Sequence, residues 1–307
     1  MKKITLTIGQ SVVSSSDNYY RIVSNLGSGG NSTVFMVLCT SGIMKGMLFS
    51  LKLFCNIERK ERIAKFLDEI DFLEEVDHPA IIRVYDKGEF RVSSRTVYPF
   101  VVSEYYPLTL QDAIKSGVSL IDKTIYTINL LSGLYYLSTR EKKIIHRDIK
   151  PQNIFIKGRN AILGDFGLMK ILTEDESMGD ADSDVEDIIV SAGAGMAFYY
   201  RTPDLVDYLN KKAKVTQASD IFQLGLVVAQ MFTGVNPCKK CEKLTDPVEL
   251  SSISVKSKKY GALIASNIRL MLNMDPNKRV SHELILDKWN GVLEDISKDV
   301  IEINGEL

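Results

Sequence analysis

Residues 146–153 read HRDIKPQN, and a second acidic motif, GDFG, follows at 164–167. Asp148 stands two places before Lys150 and five before Asn153, and Asp165 comes twelve after Asn153. Two carboxylates, an amide oxygen and a cation in so short a span suit one kind of chemistry. Asn and Asp oxygens fit Mg²⁺, a hard cation that keeps much of its water and rides on substrate phosphates. An aspartate beside them can orient a hydroxyl and accept its proton, while a lysine neutralises a transferring phosphoryl group. A polar loop with a capped turn would not need all of these residues at once.

Other candidates are less specific. LGSGGNSTV at 26–34 lies between two expected strands. Its glycines let the backbone approach a ligand closely and offer amide donors to phosphate oxygens. Gly-rich hairpins without any ligand are common. FSLKLF places Lys52 among apolar neighbours, where a lone lysine ordinarily marks an exposed face or sheet edge. Glu69 falls mid-helix, where most carboxylates are solvated. CKKC at 238–241 has zinc-ligand spacing, but a structural site needs four ligands, and Cys39 and Cys55 belong to the other half of the chain. His78 reads as a turn residue and His282 as a helix-start residue, neither with metal or catalysis. His146 reads as a buried brace, because Asp148 already supplies the base.

These residues need elements to hold them. Residues 18 to about 102 carry β-type runs: YYRIVSNLG, STVFMVLCT, GMLFSLKLF, IIRVYDKGEF and YPFVVSEYY. Between the third and fourth, Ile63, Phe66, Leu67, Ile70, Leu73 and Val76 recur at helical spacing and stop at Pro79. After residue 107 the pattern turns helical, with apolar faces over 122–140, 218–233, 260–274 and 281–293. The expected class is α+β: a small antiparallel sheet lobe with one helix, then a larger helical lobe, joined near 104–108. One composition shift stands out, TEDESMGDADSDVED at 173–187, with eight acidic residues and no basic one. Like charges at that density repel, which predicts an extended segment.

Composition excludes several classes. The 307 residues are 45% hydrophobic and 25% charged, with a net charge of -1, so no basic field points to nucleic acid or to a membrane surface. LGLVVAQMF at 224–232 is far short of a membrane span. The N-terminus lacks a continuous apolar core, so no signal peptide is read. Four scattered cysteines do not make a disulfide framework, and the expected setting is the cytoplasm.

Taken in order, the motifs resemble those of eukaryotic-type (Hanks-type) serine/threonine protein kinases, over about residues 18–293. That resemblance implies a bilobal protein-kinase fold, with an N-lobe over about 18–103, a hinge at 104–108 and a C-lobe over 109–293. Residues 1–17 would be an N-terminal extension and 294–307 a C-terminal tail. It implies ATP as cofactor with Mg²⁺, Mn²⁺ being the alternative metal, and transfer of the γ-phosphoryl group to Ser/Thr hydroxyls of proteins, autophosphorylation included. The nucleotide would meet Leu26, Gly27, Ser28, Gly29, Gly30, Asn31, Ser32 and Val34 of the Gly-rich loop. Ser50, Ser103 as gatekeeper, the hinge backbone at Glu104 and Tyr106, and Phe155 would surround adenine. Lys52 resembles the lysine that holds the α and β phosphates, and Glu69 the helix glutamate that pairs with it. Asp148 takes the place of the catalytic base, Lys150 of the phosphate-contacting lysine, and Asn153 and Asp165 of the metal ligands. TPDL at 202–205 stands where the family has Ala-Pro-Glu, with Arg279 as the partner of Asp204, and Asp220 braces the catalytic loop.

Departures accompany the likeness. Ser50 replaces an alanine, Phe155 an aliphatic residue and Phe222 a tryptophan. Ala197 takes the place of a threonine whose hydroxyl bridges the catalytic aspartate and lysine, which leaves a nucleotide-binding pseudokinase or scaffold as the alternative. An aminoglycoside-type small-molecule kinase would not need TPDL, Arg279 or the 219–225 motif. Arg147 resembles the residue that receives an activation-segment phosphate, with Thr173, Ser177, Ser183 and Ser191 as candidate sites. The expected partners are a protein substrate and a separate upstream regulator, with neither nucleic acid nor membrane.

Overall fold

Alternating burial along the first hundred residues is what makes them a sheet. Strands β1 (Ser11–Val13), β2 (Tyr19–Ser28), β3 (Ser32–Cys39), β4 (Leu48–Phe54), β5 (Val84–Ser93) and β6 (Thr96–Glu104) pair antiparallel in the order β1-β2-β3-β4-β6-β5. This computed structural model describes residues 4–172 and 199–305, the last six by backbone alone. On one face of the sheet Tyr20, Ile22, Phe35, Val37, Leu51, Leu53, Phe100 and Val102 form a core. The opposite face carries α1 (Lys60–Glu74), which packs Phe66 and Ile70 against Phe54 and Val101. Each such fully buried side chain contributes about 1.5–3 kcal/mol. Successive side chains alternate between faces, so Lys52, between Leu51 and Leu53, points to the α1 side.

The segment before residue 18, read from sequence as an extension, is packed on this sheet. Leu6 and Val12 join the core at 5% and 3% exposure. Ser14 Oγ, Asn18 Nδ2 and Tyr20 OH all donate to Asp86 Oδ2, at 2.6, 2.9 and 3.1 Å. These bonds hold the buried Asp86 carboxyl below its usual range against the opposing effect of burial. A three-residue strand among serines gives too short an alternation to be legible.

The rest of the chain is mainly helical: α2 (Leu110–Ser116), α3 (Leu120–Thr139), α4 (Pro203–Leu209), α5 (Ala218–Thr233), α6 (Gly261–Met271) and α7 (His282–Gly305). Ser119 caps α3 by accepting the Asp122 N–H, and Thr109 with Asp112 forms a capping box at α2. Helix α5 is buried on nearly all sides, as its apolar sequence demands, and ends at Gly234 in the left-handed conformation. Trp289 of α7 packs on Phe232 of α5, ring centres 5.5 Å apart. Helix α7 continues past residue 293, the end expected from sequence, and buries Ile296. Short strands β7 (Leu108–Thr109), β8 (Ile144–Ile145), β9 (Ile154–Lys157), β10 (Asn160–Leu163) and β11 (Lys170–Ile171) form two small sheets, β10-β9-β7 and β11-β8.

The chain divides into two compact units, one ending at Pro107 and the other beginning at Leu108, with His78–Ala80 belonging by contact to the second. The class is the α+β arrangement expected: one sheet unit with a helix, one helical unit. No helix among the described residues is long and apolar enough to cross a membrane.

Candidate functional site

In the first unit, the β2–β3 hairpin carries Leu26, Gly27 and Ser28 on one arm and Ser32 and Val34 on the other. Gly29, Gly30 and Asn31 make the turn, which the Gly29 N–H closes on the Ser32 carbonyl at 2.8 Å. Val34 pairs across the sheet with Gly27 on one side and Lys52 on the other. Lys52 Nζ lies 2.8 Å from Glu69 Oε1 and 3.2 Å from Oε2. Their side chains are 20% and 4% exposed, and a carboxylate so buried requires a partner. Phe66, one turn before Glu69, stacks on Phe54 and sits under the Lys52 ammonium. Ser50 lies opposite Ser103, which is 9% exposed. The Glu104 N–H is committed to the Arg83 carbonyl, and Tyr106 OH donates to Glu104 Oε2. Burial, and after it that carboxylate, raises the Tyr106 phenol.

In the second unit, residues 146–153 run between β8 and β9 and end in a 3-10 turn, Pro151–Asn153. Lys150 Nζ donates to both oxygens of Asp148, at 2.9 and 2.8 Å. The Asn153 amide donates to the Asp148 carbonyl at 3.0 Å and to Oδ2 at 2.8 Å. Burial pushes the Asp148 carboxyl above its usual range; Lys150 pulls it down and Asp165 pushes it further up. His146 is fully buried: Nε2–H donates to the Gly164 carbonyl, and Nδ1 accepts the Asp148 N–H. Burial lowers its pKa to about 4, so it is neutral at pH 7 and serves as a brace.

Backbone strain marks this loop and the GDFG segment after β10. Arg147 and Asp165 are non-glycine residues with φ of 65° and 55°, a conformation that costs energy and persists where surroundings enforce it. Arg147 is enforced by its N–H on Asp220 Oδ1 at 3.0 Å and its Nε on the Leu168 carbonyl at 2.6 Å. Asp220 Oδ2 accepts the His146 N–H at 2.8 Å, and burial raises the Asp220 carboxyl to about 7. Asp165 is exposed beside the buried Phe166. Phe155, on β9, lies against Gly164: a Cβ there would come 2.3 Å from its ring, which accounts for the glycine.

The donor set fits a divalent cation. Asn153 spends its amide N–H groups on Asp148, which leaves its carbonyl oxygen as an acceptor. Asp165 offers an exposed carboxylate close enough to act on both Asp148 and His146. Both donors are hard oxygens, the kind Mg²⁺ and Mn²⁺ prefer. CKKC is otherwise: Cys238 is buried with its thiol raised to about 11. Among the described residues no group of three or more His, Cys, Asp or Glu is placed to hold a metal.

Asp204 and Arg279 meet at 3.1 Å with side chains 1% and 0% exposed, and the Arg279 guanidinium lies over Phe222 at 4.9 Å. Two residues escaped the sequence reading. Gln223 Oε1 accepts the Ile149 N–H, and its Nε2 donates to the Arg147 and Tyr200 carbonyls, all at 3.0 Å. Arg201, 1% exposed, donates to the carbonyls of Lys243, Leu244, Asp246 and Pro247. A glutamine inside the apolar run of α5 was the available signal, since buried polar groups need partners. Thr173, Ser177, Ser183, Ser191 and Ala197 lie outside the described residues.

A family model described as "Protein kinase domain" matches residues 20–289. Relatives include the "Probable serine/threonine-protein kinase nek2" of Dictyostelium discoideum, 26% identical over 85% of this chain and 60% of its own length. The "Serine/threonine-protein kinase pkn2" of Myxococcus xanthus is 28% identical over 87% of this chain and 32% of its own. The "Serine/threonine-protein kinase TOUSLED" of Arabidopsis thaliana is 28% identical over 71% and 31%. The chain thus spans less than two thirds of each of these relatives.

Proposed function

This chain belongs to the protein kinase domain family, and on that premise we propose that it transfers the γ-phosphoryl group of ATP, with Mg²⁺ or Mn²⁺, to Ser/Thr hydroxyls of proteins, its own included. The observation that carries the reading is the Asp148 carboxylate, buried, raised in pKa and held by Lys150 and Asn153 within 3.0 Å. Asp148 accepts the hydroxyl proton as the oxygen attacks, and its raised pKa brings it nearer the working pH of a base. Lys150 keeps Asp148 ionised before transfer and places positive charge beside the reacting hydroxyl. Lys52, fixed by Glu69, would bind the phosphates, with the amides of 27–32 as further donors to them. Asn153 and Asp165 would hold the cation. When bound, Mg·ATP supplies the phosphoryl group and neutralises the charge that spreads over its oxygens.

A scaffold of this family would typically lack Lys52, Asp148 or Asp165, and all three are present; only Ala197 speaks for that alternative. The test is transfer of labelled phosphate from ATP to a generic protein substrate, with Asp148→Asn and Asp165→Asn alongside. Wild-type transfer, with both variants silent and only Asp165→Asn weakened in Mg·ATP binding, supports the assignment. Retained activity in both purified variants overturns it.

A further inference from the structure

We propose that Arg62 is a positioning residue that ties the glycine-rich loop to α1, so that the loop and the Lys52–Glu69 pair are set by one helix. The inference rests on the loop binding nucleotide phosphates, as argued above. Residues 26–30 are exposed and bury nothing of their own. What orders the loop is therefore polar. Asn31 turns its side chain inward, where Oδ1 accepts from Arg62 Nη1 at 3.1 Å and from Asn56 Nδ2 at 3.1 Å. Its backbone carbonyl accepts the Cys55 N–H at 2.7 Å.

Arg62 is 9% exposed, unusually low for an arginine in the first turn of a helix. Glu69 follows it by seven residues, which places both on one face of α1, about 10 Å apart along the axis. Phe66 fills the space between them and packs on the sheet. Helix α1 thus grips the sheet at two polar points: Glu69 holds the phosphate-binding lysine, and Arg62 holds the loop. A one-turn slide of α1, about 5.4 Å, breaks both bonds together. Holding the loop before nucleotide arrives lowers the ordering cost of binding. Any factor that moves α1 therefore acts on lysine and loop at once.

The experiment uses Arg62→Leu, Asn31→Ala, their double variant and Asn31→Asp, which keeps the acceptor. Amide hydrogen exchange of residues 27–33 is read in nucleotide-free protein, and KM for ATP and kcat in the transfer assay. Arg62→Leu and Asn31→Ala each accelerate loop exchange by about tenfold, the worth of a hydrogen bond to a charged group. The double variant exchanges no faster than Asn31→Ala, which also loses the Asn56 bond, and the loop of Asn31→Asp exchanges at close to the wild-type rate. KM for ATP rises by roughly three- to tenfold in step, with kcat less affected. Additive effects in the double variant, or unchanged exchange and KM, overturn the proposal. A wild type that transfers no phosphate overturns the functional assignment instead, while the exchange result still decides the coupling.

Discussion

Arg279 grips Asp204 by one oxygen only: both terminal nitrogens donate to Oδ1 at 3.1 Å, and Oδ2 has no hydrogen-bond partner among the described residues. The two residues are 75 apart in sequence and join the start of α4 to the loop after α6. Arg279 also donates to the Asn273 and Ala218 carbonyls, so it knits three segments together.

Removing one partner of a buried pair leaves an uncompensated charge. Arg279→Met is therefore expected to destabilise the protein by about 3–5 kcal/mol in urea unfolding. Asp204→Asn combined with Arg279→Met should cost less than Arg279→Met alone, because no carboxylate is then stranded. If the double variant is the less stable, Asp204 is not the group that makes Arg279 necessary.

If Ser103 is the gatekeeper that the kinase resemblance implies, its size sets what can enter behind the nucleotide base. It is a small, buried residue facing Ser50 and Val84 across the sheet. Inhibitors with a bulky aromatic group directed there should bind the wild type, and Ser103→Met should weaken them at least tenfold, about the cost of forcing extra methylenes into a packed site. Equal dissociation constants for the two proteins would place the pocket elsewhere.

How much of this was legible follows from how far each interaction reaches. Asp148, Lys150 and Asn153 bond one another within six residues, so their chemistry shows in the string. The sheet showed through strands of seven to ten residues with alternating burial, whereas β1, three residues long, did not. Arg62 and Asn31 are 31 residues apart, and Arg201 bonds carbonyls more than 40 residues away. Backbone acceptors carry no residue type to read, so such partners emerge only once the chain has folded.

Acid should act on activity and stability in different ways. As the proposed base, Asp148 would work ionised, and its pKa is raised by burial. The rate should therefore fall, as pH drops, through a value above the ordinary 3.8. Asp220 is raised from 3.8 to about 7, so between those values the folded chain holds a proton that the unfolded chain has lost. Its contribution to stability is then greatest at the acid end and declines as pH rises toward 7. Relative to Asp220→Asn, the wild type should lose stability between pH 5 and about 7 in urea unfolding. A gap that widens with pH would mean the N–H bonds from His146 and Arg147 outweigh burial.

Gln223 joins the catalytic loop to the segment where a substrate peptide is expected to dock. Three backbone groups depend on it: the Ile149 N–H and the Arg147 and Tyr200 carbonyls. Arg147 and Ile149 flank Asp148, so the base and Tyr200 are held in register by one amide. Gln223→Leu removes every bond at similar volume, and Gln223→Glu keeps the acceptor while losing both donors. Each stranded group costs about 1–3 kcal/mol, so both variants should be less stable, and rates must be compared where each is fully folded. There, kcat with a peptide substrate should fall by about ten- to a hundredfold, a misplacement effect, while KM for ATP stays near wild type. A parallel change in KM for ATP would mean that the whole loop has shifted. An unchanged kcat would show that the segment at Tyr200 finds its register without Gln223.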